Sequence, residues 1–551
     1  MFSWLVRHAG KIDHPMYNMA EAGKLLAELP ADDPFKALEE ITAWLQSITA
    51  TPTFGAEPRI ALIKLLDETA RPIQADLLKQ YLAEPHLQDF QGTHLWKNLH
   101  AHAGDLARAY AECLAGCKRE ELLPYQLHEL LPLLSVRLMR ALAEQTKLEL
   151  MRYLDVGNDT WSRLYQCYTD AEAGQYAHTN LFAYHGHAVH TSVQHELLRI
   201  LVFYASSPGN LAPDQIEVAF RIAARMVSFF DISAAPDVTS EYWIDLANPG
   251  PPRPVDDTIA PTPTMRFFTP LRALPRISEI IHEHERGAID EERRFGSEFT
   301  PRGKLTVLKH LLVYWNKYHP RRAVERMGIR ASVDVAHGFR AIIGLVPRVD
   351  LDQASGLSKE EAAAVASRAD FGIVKEEEPP YVPETWTVVD ASASGVGGLI
   401  PKGTGAWVKI GCLLGIRAHN AQAWWVGVIR RLHTEKQHAV RVGIEILGKK
   451  SLAVWLRVLG KGAERIENWE TSSGSFKYDY YPAILLPDAQ NSYLHATMVL
   501  ETGTYSEGKL LEIMLGEKSR TVELTSLEAE GEDYELVRFN WLAPPEEKKP
   551  Q

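Results

Sequence analysis

The sequence predicts a multidomain α+β chain in which an all-α N-terminal region precedes two strand-rich units. Three observations predict it. The chain has 551 residues, too many for one compact core. Apolar residues recur at spacings of three and four as far as about residue 318. Beyond that point apolar and polar residues alternate with a period of two. Composition is that of an ordinary globular protein, 46% hydrophobic and 24% charged, with enough apolar material for several cores.

The first region spans 1–318. Asp33-Pro34 is a helix start, an N-cap acid followed by proline at the first helical position. After it Phe35, Leu38, Ile41, Trp44 and Leu45 fall on one face. Similar stripes run through Ile60–Leu66, Leu106–Leu114 and Leu198–Tyr204. Asn248–Thr264 is rich in proline, which removes amide donors and disfavours helix before it. It marks either a domain break or a long surface loop. Helices resume over Ile277–His284 and Lys304–Tyr318, and no fixed-period repeat supports a solenoid.

The second region spans 319–460, with strands expected at Trp386–Val389, Trp407–Ile410, Trp424–Ile429 and Val440–Leu447. It holds an insertion at 346–384. There Ser358 and Glu361 form a capping box on a short alanine-rich helix, and Glu376–Pro383 reads as an exposed acidic connector. The third region, 465–543, repeats the strand pattern at Pro482–Leu486, Thr497–Leu500, Leu510–Leu515, Thr521–Leu524 and Tyr534–Phe539, a second small β unit. Residues 544–551 read as a disordered tail.

Several function classes are disfavoured. A formal net charge of -12 argues against DNA or RNA as a partner, so an anionic ligand needs a local basic cluster. Cys113, Cys117, Cys167 and Cys412 lack zinc spacing and read as free thiols in a reducing compartment. No signal peptide and no apolar stretch of the ~20 residues that span a bilayer is present, which predicts a soluble cytoplasmic protein. His178, His185, His187, His190 and His195 bunch together, but His190 and His195 are poorly spaced to share a helix face, so packed or solvated histidines are expected and no metal or other cofactor. No phosphate-binding loop, nucleophile elbow or zinc-hydrolase motif appears, so the chain does not read as an enzyme.

Two separated pieces carry chemistry. The first is Arg321-Arg322-Ala-Val-Glu-Arg326, where helix gives way to strand. The second is Asp390-Ala-Ser392-Ala-Ser-Gly395, directly after the strand ending at Val389. Guanidinium forks suit phosphates and the O6/N7 edge of guanine, because they are planar and permanently charged. A carboxylate such as Asp390 suits the N1-H and N2-H edge, and Ser392 adds a hydroxyl. Gly395 is expected in a tight turn with unusual dihedral angles that admits a ligand close to the backbone. Further positive charge gathers at Lys317, His319 and Arg330, and again at Arg430, Arg431, Lys436 and Arg441 in a later hairpin, where it reads equally well as a charged, soluble hairpin edge.

Arg322-Ala-Val-Glu-Arg326 followed by Asp390-Ala-Ser392-Ala-Ser-Gly395 resembles the PilZ signature RxxxR … [D/N]xSxxG. Val396-Gly397-Gly398-Leu399, Trp424–Arg431 and Val440–Leu447 are similar to strands of that family. The two motifs stand further apart than the family usually shows, and the excess falls in the 346–384 insertion. The resemblance implies a six-stranded antiparallel β-barrel and cyclic di-GMP as ligand, often an intercalated dimer. It implies Arg322, Arg326, Asp390, Ser392 and Gly395 as ligand-binding residues, with Arg321 beside them. The expected function is a cyclic di-GMP receptor whose barrel senses the nucleotide and whose helical region engages a protein partner. The alternative is a ligand-free PilZ-like adaptor in a motility, pilus or secretion complex.

Overall fold

The structure is a computed structural model that describes residues 13–83, 90–119, 124–186, 189–256, 258–287, 295–317, 327–348, 382–401, 405, 407–419, 421–435, 439–459, 480–488, 493, 496–515 and 518–542. The chain divides into two compact units, Met1–Ala323 and Val324–Gln551.

The first unit is predominantly helical, from Met19–Ala27 to Pro301–Tyr314, with long helices at Ala56–Ala83, Phe90–Arg119 and Pro124–Met151. The helix Pro34–Ala50 starts as its sequence dictates: the Asp33 side chain accepts from the Lys36 N–H and proline fills the first turn. Leu38, Ile41 and Leu45 of its stripe are fully buried. Charge is also buried here. Arg137, 2% exposed, meets Asp67, Tyr110 and Glu68, and Lys147 lies between Glu144 and Glu217. Arg137 and Lys147 therefore both have carboxylate partners that offset their desolvation.

Inside this unit sits a small antiparallel sheet that periodicity does not reveal. Its strands are β1 (Ile232–Ser233), β2 (Tyr242–Asp245), β3 (Arg253–Pro254) and β4 (Met265–Phe268), in the order β1-β4-β2-β3. Strands of two to four residues are too short to show a period of two. The proline-rich Asn248–Thr264 runs from β2 to β4 and supplies β3 on the way. Its ends are tied together, because β2 pairs β4 from Tyr242↔Phe268 to Asp245↔Met265.

The second unit holds two closed six-stranded antiparallel barrels. The first comprises β5 (Met327–His337), β6 (Glu384–Ala391), β7 (Gly395–Ile400), β8 (Leu413–Ala418), β9 (Trp425–Thr434) and β10 (Val440–Gly448), closed in the order β10-β7-β6-β5-β8-β9. The second comprises β11 (Leu452–Leu459), β12 (Tyr480–Leu486), β13 (Thr497–Glu501), β14 (Leu510–Leu515), β15 (Lys518–Glu530) and β16 (Tyr534–Trp541), in the order β11-β12-β13-β16-β15-β14.

Two local expectations are corrected. Trp407–Ile410 is not a strand. Its alternation comes from aromatic packing: the Trp407 indole donates to Glu384 and its ring stacks on His337 at 4.1 Å and on Trp386 at 5.5 Å. The strand follows instead at Leu413–Ala418, after a turn at Gly411 whose φ of 83° suits glycine. The strand Leu452–Leu459, grouped above with the first barrel, pairs β12 and β14 of the second. The expected helix at Ser358–Arg368, within the insertion, lies outside the described residues.

The barrels share a core. Val454, Leu456, Leu485, Met498, Leu500, Leu511 and Ile513 fill the second barrel. The intervening Ile484, Leu486 and Val499 face the other way and pack with Phe339, Ile342, Leu413 and Trp424. Strands β12 and β13 are thus buried on both faces. This explains why they read as continuous apolar runs rather than alternating ones. The link is the short helix Phe339–Leu345, whose first N–H donates to the Asp533 carboxylate at 2.5 Å.

Candidate functional site

Two β-bulges shape the outer face of the first barrel. Between β6 and β7 the register runs Val388↔Gly398 and then Asp390↔Gly397, so Val389 is an extra residue. Val388 is buried, and strict alternation would send Asp390 to the same inner face. The bulge turns its carboxylate outward instead. Between β9 and β10 the register runs Ile444↔Ile429 and then Gly443↔Arg431, so Arg430 is the extra residue. Ile429 and Leu432 are buried while the two arginines between them are not.

The pairings place one row of residues across five strands: Gly328, Asp390, Gly397, Gly443 and Arg431. The glycines are required by close approach. A Cβ on Gly397 would lie 2.7 Å from the Asp390 Cγ, and one on Gly443 would lie 3.3 Å from the Arg431 Cβ. Asp390 is 9% exposed and accepts from the Arg441 guanidinium at 2.5 Å. Arg441 projects from β10, two residues from Gly443. The next residues form the turn: the Ser392 N–H donates to the Gly395 carbonyl at 2.8 Å and the Ser392 hydroxyl donates to the same oxygen at 3.3 Å. The Ile446 N–H donates to the Ser394 carbonyl at 3.0 Å, which ties the turn to β10. Gly395 opens β7 and is not in the left-handed region, a correction to the expected dihedral angles. Its place at the start of a paired strand accounts for it.

Asp390, Ser392 and Gly395 therefore stand together, as their motif predicts. Arg321, Arg322 and Arg326 lie outside the described residues. What is described is the strand that follows: Met327, next in sequence after Arg326, pairs with Ala391, and Gly328 pairs with Asp390. The β5 residues from Met327 to Ser332 are exposed, Met327 by 74%. Further round the barrel, the Arg417 guanidinium donates to Asp334 at 2.7 Å and holds its carboxyl below the usual range.

Three family models match the chain. The N-terminal domain of the cyclic-di-GMP receptor FimW matches residues 20–237, its middle PilZ domain 350–452, and the FimW C-terminal β-barrel domain 471–542. Together they take in more than half of the chain, in the order of the family. The chain belongs to the FimW family of cyclic-di-GMP receptors. The FimW middle-domain match begins downstream of Arg326 and β5, yet β5 is one of the six strands that close that barrel. No curated protein matches. One solved structure found by comparison is described as "MrkH, A novel c-di-GMP dependence transcription regulatory factor"; it is 9% identical, covers 36% of this chain and 90% of its own, and has a TM-score of 0.14, a likeness too slight to place any residue.

Arg441 and Gly397 were not singled out as site residues above. Arg441 was noted only as hairpin charge, and Gly397 only as part of a small apolar run. A pattern of glycine between apolar residues on adjacent strands hints at such a floor, but only the register shows which glycines are neighbours. Among the described residues no group of three or more His, Cys, Asp or Glu is placed to hold a metal ion, and no helix is long and apolar enough to cross a membrane.

Proposed function

We propose that the first barrel binds cyclic di-GMP on its outer face, with Asp390 and Ser392 taking the donor edge of guanine and Arg322 and Arg326 taking phosphate and the O6/N7 edge. Arg321 adds charge beside them, and Gly395 sets the turn that carries Ser392. The observation that carries this reading is the outward-turned Asp390, in register with the strand that starts one residue after Arg326. Met327, next after Arg326, pairs with Ala391 beside Asp390, so the arginine motif leads directly into this strand. The receptor reads the nucleotide without chemistry on it. Its helical unit engages a protein partner, in the cytoplasm where the nucleotide signals, and binding shifts that engagement only if the two states differ in affinity for the ligand.

Calorimetric titration with cyclic di-GMP beside cyclic di-AMP and GTP tests this. Binding of the first alone is expected. Arg322→Ala with Arg326→Ala should weaken it at least about tenfold, the worth of one charge-assisted contact. Unchanged binding by that variant overturns the residue assignment.

One observation favours a second reading, a ligand-free adaptor: Arg441 already occupies the Asp390 carboxylate. A partner captured equally well with and without cyclic di-GMP, by a chain that does not bind the nucleotide, would establish it.

A further inference from the structure

We propose that Arg431 is an additional ligand-contacting residue of the first barrel, closing the binding face at the end opposite Asp390. The inference rests on the cyclic di-GMP reading above and deepens it. The row across the strands has a carboxylate at one side, Asp390, and a guanidinium at the other, Arg431, with Gly397 and Gly443 between them. Three strand-to-strand steps of ~4.8 Å separate the two, or about 14 Å. Gly397 and Gly443 add no side chain of their own to the floor between them; the Asp390 carboxylate, held by Arg441, lies over Gly397, so the open part of the floor is at Gly443 beside Arg431. With the donor edge of a guanine base at Asp390, the acceptor side of the same ligand, phosphate or the O6/N7 edge, reaches toward Arg431. A guanidinium is the group that suits it.

Three further facts separate Arg431 from an incidental surface charge. First, a bulge at Arg430 puts two consecutive arginines on the outer side, which regular alternation would not do. Second, the two are not equivalent. Arg430 donates to Glu445 at 2.7 Å, whereas Arg431 makes no ion pair with any described carboxylate. Third, a charge that guards an open sheet edge has no role here, because β9 is paired on both sides, to β8 and β10, in a closed barrel. Gly443 completes the arrangement: a side chain there would press on the stem of Arg431.

The test is calorimetric titration of the full chain with cyclic di-GMP, comparing wild type, Arg431→Ala, Arg431→Lys, Arg430→Ala and Arg322→Ala. Arg431→Ala is expected to lose at least about tenfold in affinity. Arg431→Lys should recover only part, since it keeps the charge without the planar fork. Arg430→Ala should match wild type, and the thermal midpoint of the free protein should not move in any Arg431 variant. Wild-type affinity in Arg431→Ala, with a loss in Arg322→Ala, overturns this inference and leaves the binding reading intact. An equal loss in Arg430→Ala and Arg431→Ala that vanishes in high salt also overturns it, because it reports general attraction rather than a contact. No binding by wild type overturns both.

Discussion

The first barrel turns a carboxylate and a guanidinium outward over bare glycines, whereas the second has its own buried carboxylate and uses it quite differently. Glu535 of β16 is 5% exposed and accepts from the backbone N–H groups of Gly503, Thr504 and Tyr505 at 2.9, 3.1 and 2.7 Å. It clamps a loop. Asp390 is held by a side chain that can swing away, Arg441, which is 46% exposed. The outer faces differ in the same sense. In the second barrel Ile484, Leu486, Val499 and Leu536 are buried against the neighbouring barrel and its short helix. In the first, Arg431 and Arg441 on the outer side of β9 and β10 are exposed. Strand number, closure and pairing are the same in both. The lesson is that this architecture supplies a rigid cylinder, and bulges, glycines and the partner of one carboxylate decide whether it presents a site or a packing surface.

The largest effect should come from the core that the barrels share. Phe339→Ala removes a fully buried ring and should cost about 3–5 kcal/mol. In denaturant melts both barrels should weaken in one transition. Two separated transitions, with only the first barrel destabilised, would break the shared-core picture.

The contrast between the two carboxylates gives a crossed prediction. Glu535→Ala leaves three N–H groups without their acceptor and should cost about 1–3 kcal/mol of stability with nucleotide affinity unchanged. Asp390→Ala should do the reverse, with a large loss of affinity and a smaller change in melting. Equal stability costs would show that Asp390 is a structural clamp as well.

Arg441→Ala sharpens the point further. The pair is half exposed on the arginine side, so its loss should cost about 0.2–1 kcal/mol. If Arg441 competes with the ligand for Asp390, affinity for cyclic di-GMP rises; if it also contacts the ligand, affinity falls. Calorimetry on the variant distinguishes these outcomes.

The smallest effect is on pH. Burial under the Trp407 stack lowers the His337 pKa from 6.5, against the pull of Glu384 and Asp533. The unfolded chain therefore takes up a proton near pH 6.5 that the folded barrel refuses. The contribution is full above that pH and is lost as pH falls toward the lowered value. Because the ring is only half buried, the effect is expected to be small. Melts at pH 7.5 and about pH 5.5 should show it in wild type and not in His337→Gln.

Much of the fold was legible because it rests on local signals. Period-two runs marked Val440–Leu447, Leu510–Leu515 and Tyr534–Phe539, and each lies in a strand. Asp33-Pro34 marked a helix start that the structure repeats. Where a local signal misled, a distant contact was responsible: Trp407 alternates with its neighbours because His337 and Trp386 receive its ring. The bounds 319–460 take in Leu452–Leu459, a strand of the second barrel, for a similar reason. Nothing in its own residues says whether it pairs with β10 or with β12.

By itself the sequence determined residue types suited to a guanine dinucleotide, the order of helical and strand-rich regions, and the motif that joins Asp390, Ser392 and Gly395 in one turn. Those are properties of neighbours along the chain. Only the tertiary structure decided that Val389 and Arg430 are bulged, that Gly397 and Gly443 lie side by side, and that Arg431 faces Asp390 across them. Each of these depends on the register between strands far apart in sequence, and a slip of one residue in that register sends every side chain to the opposite face.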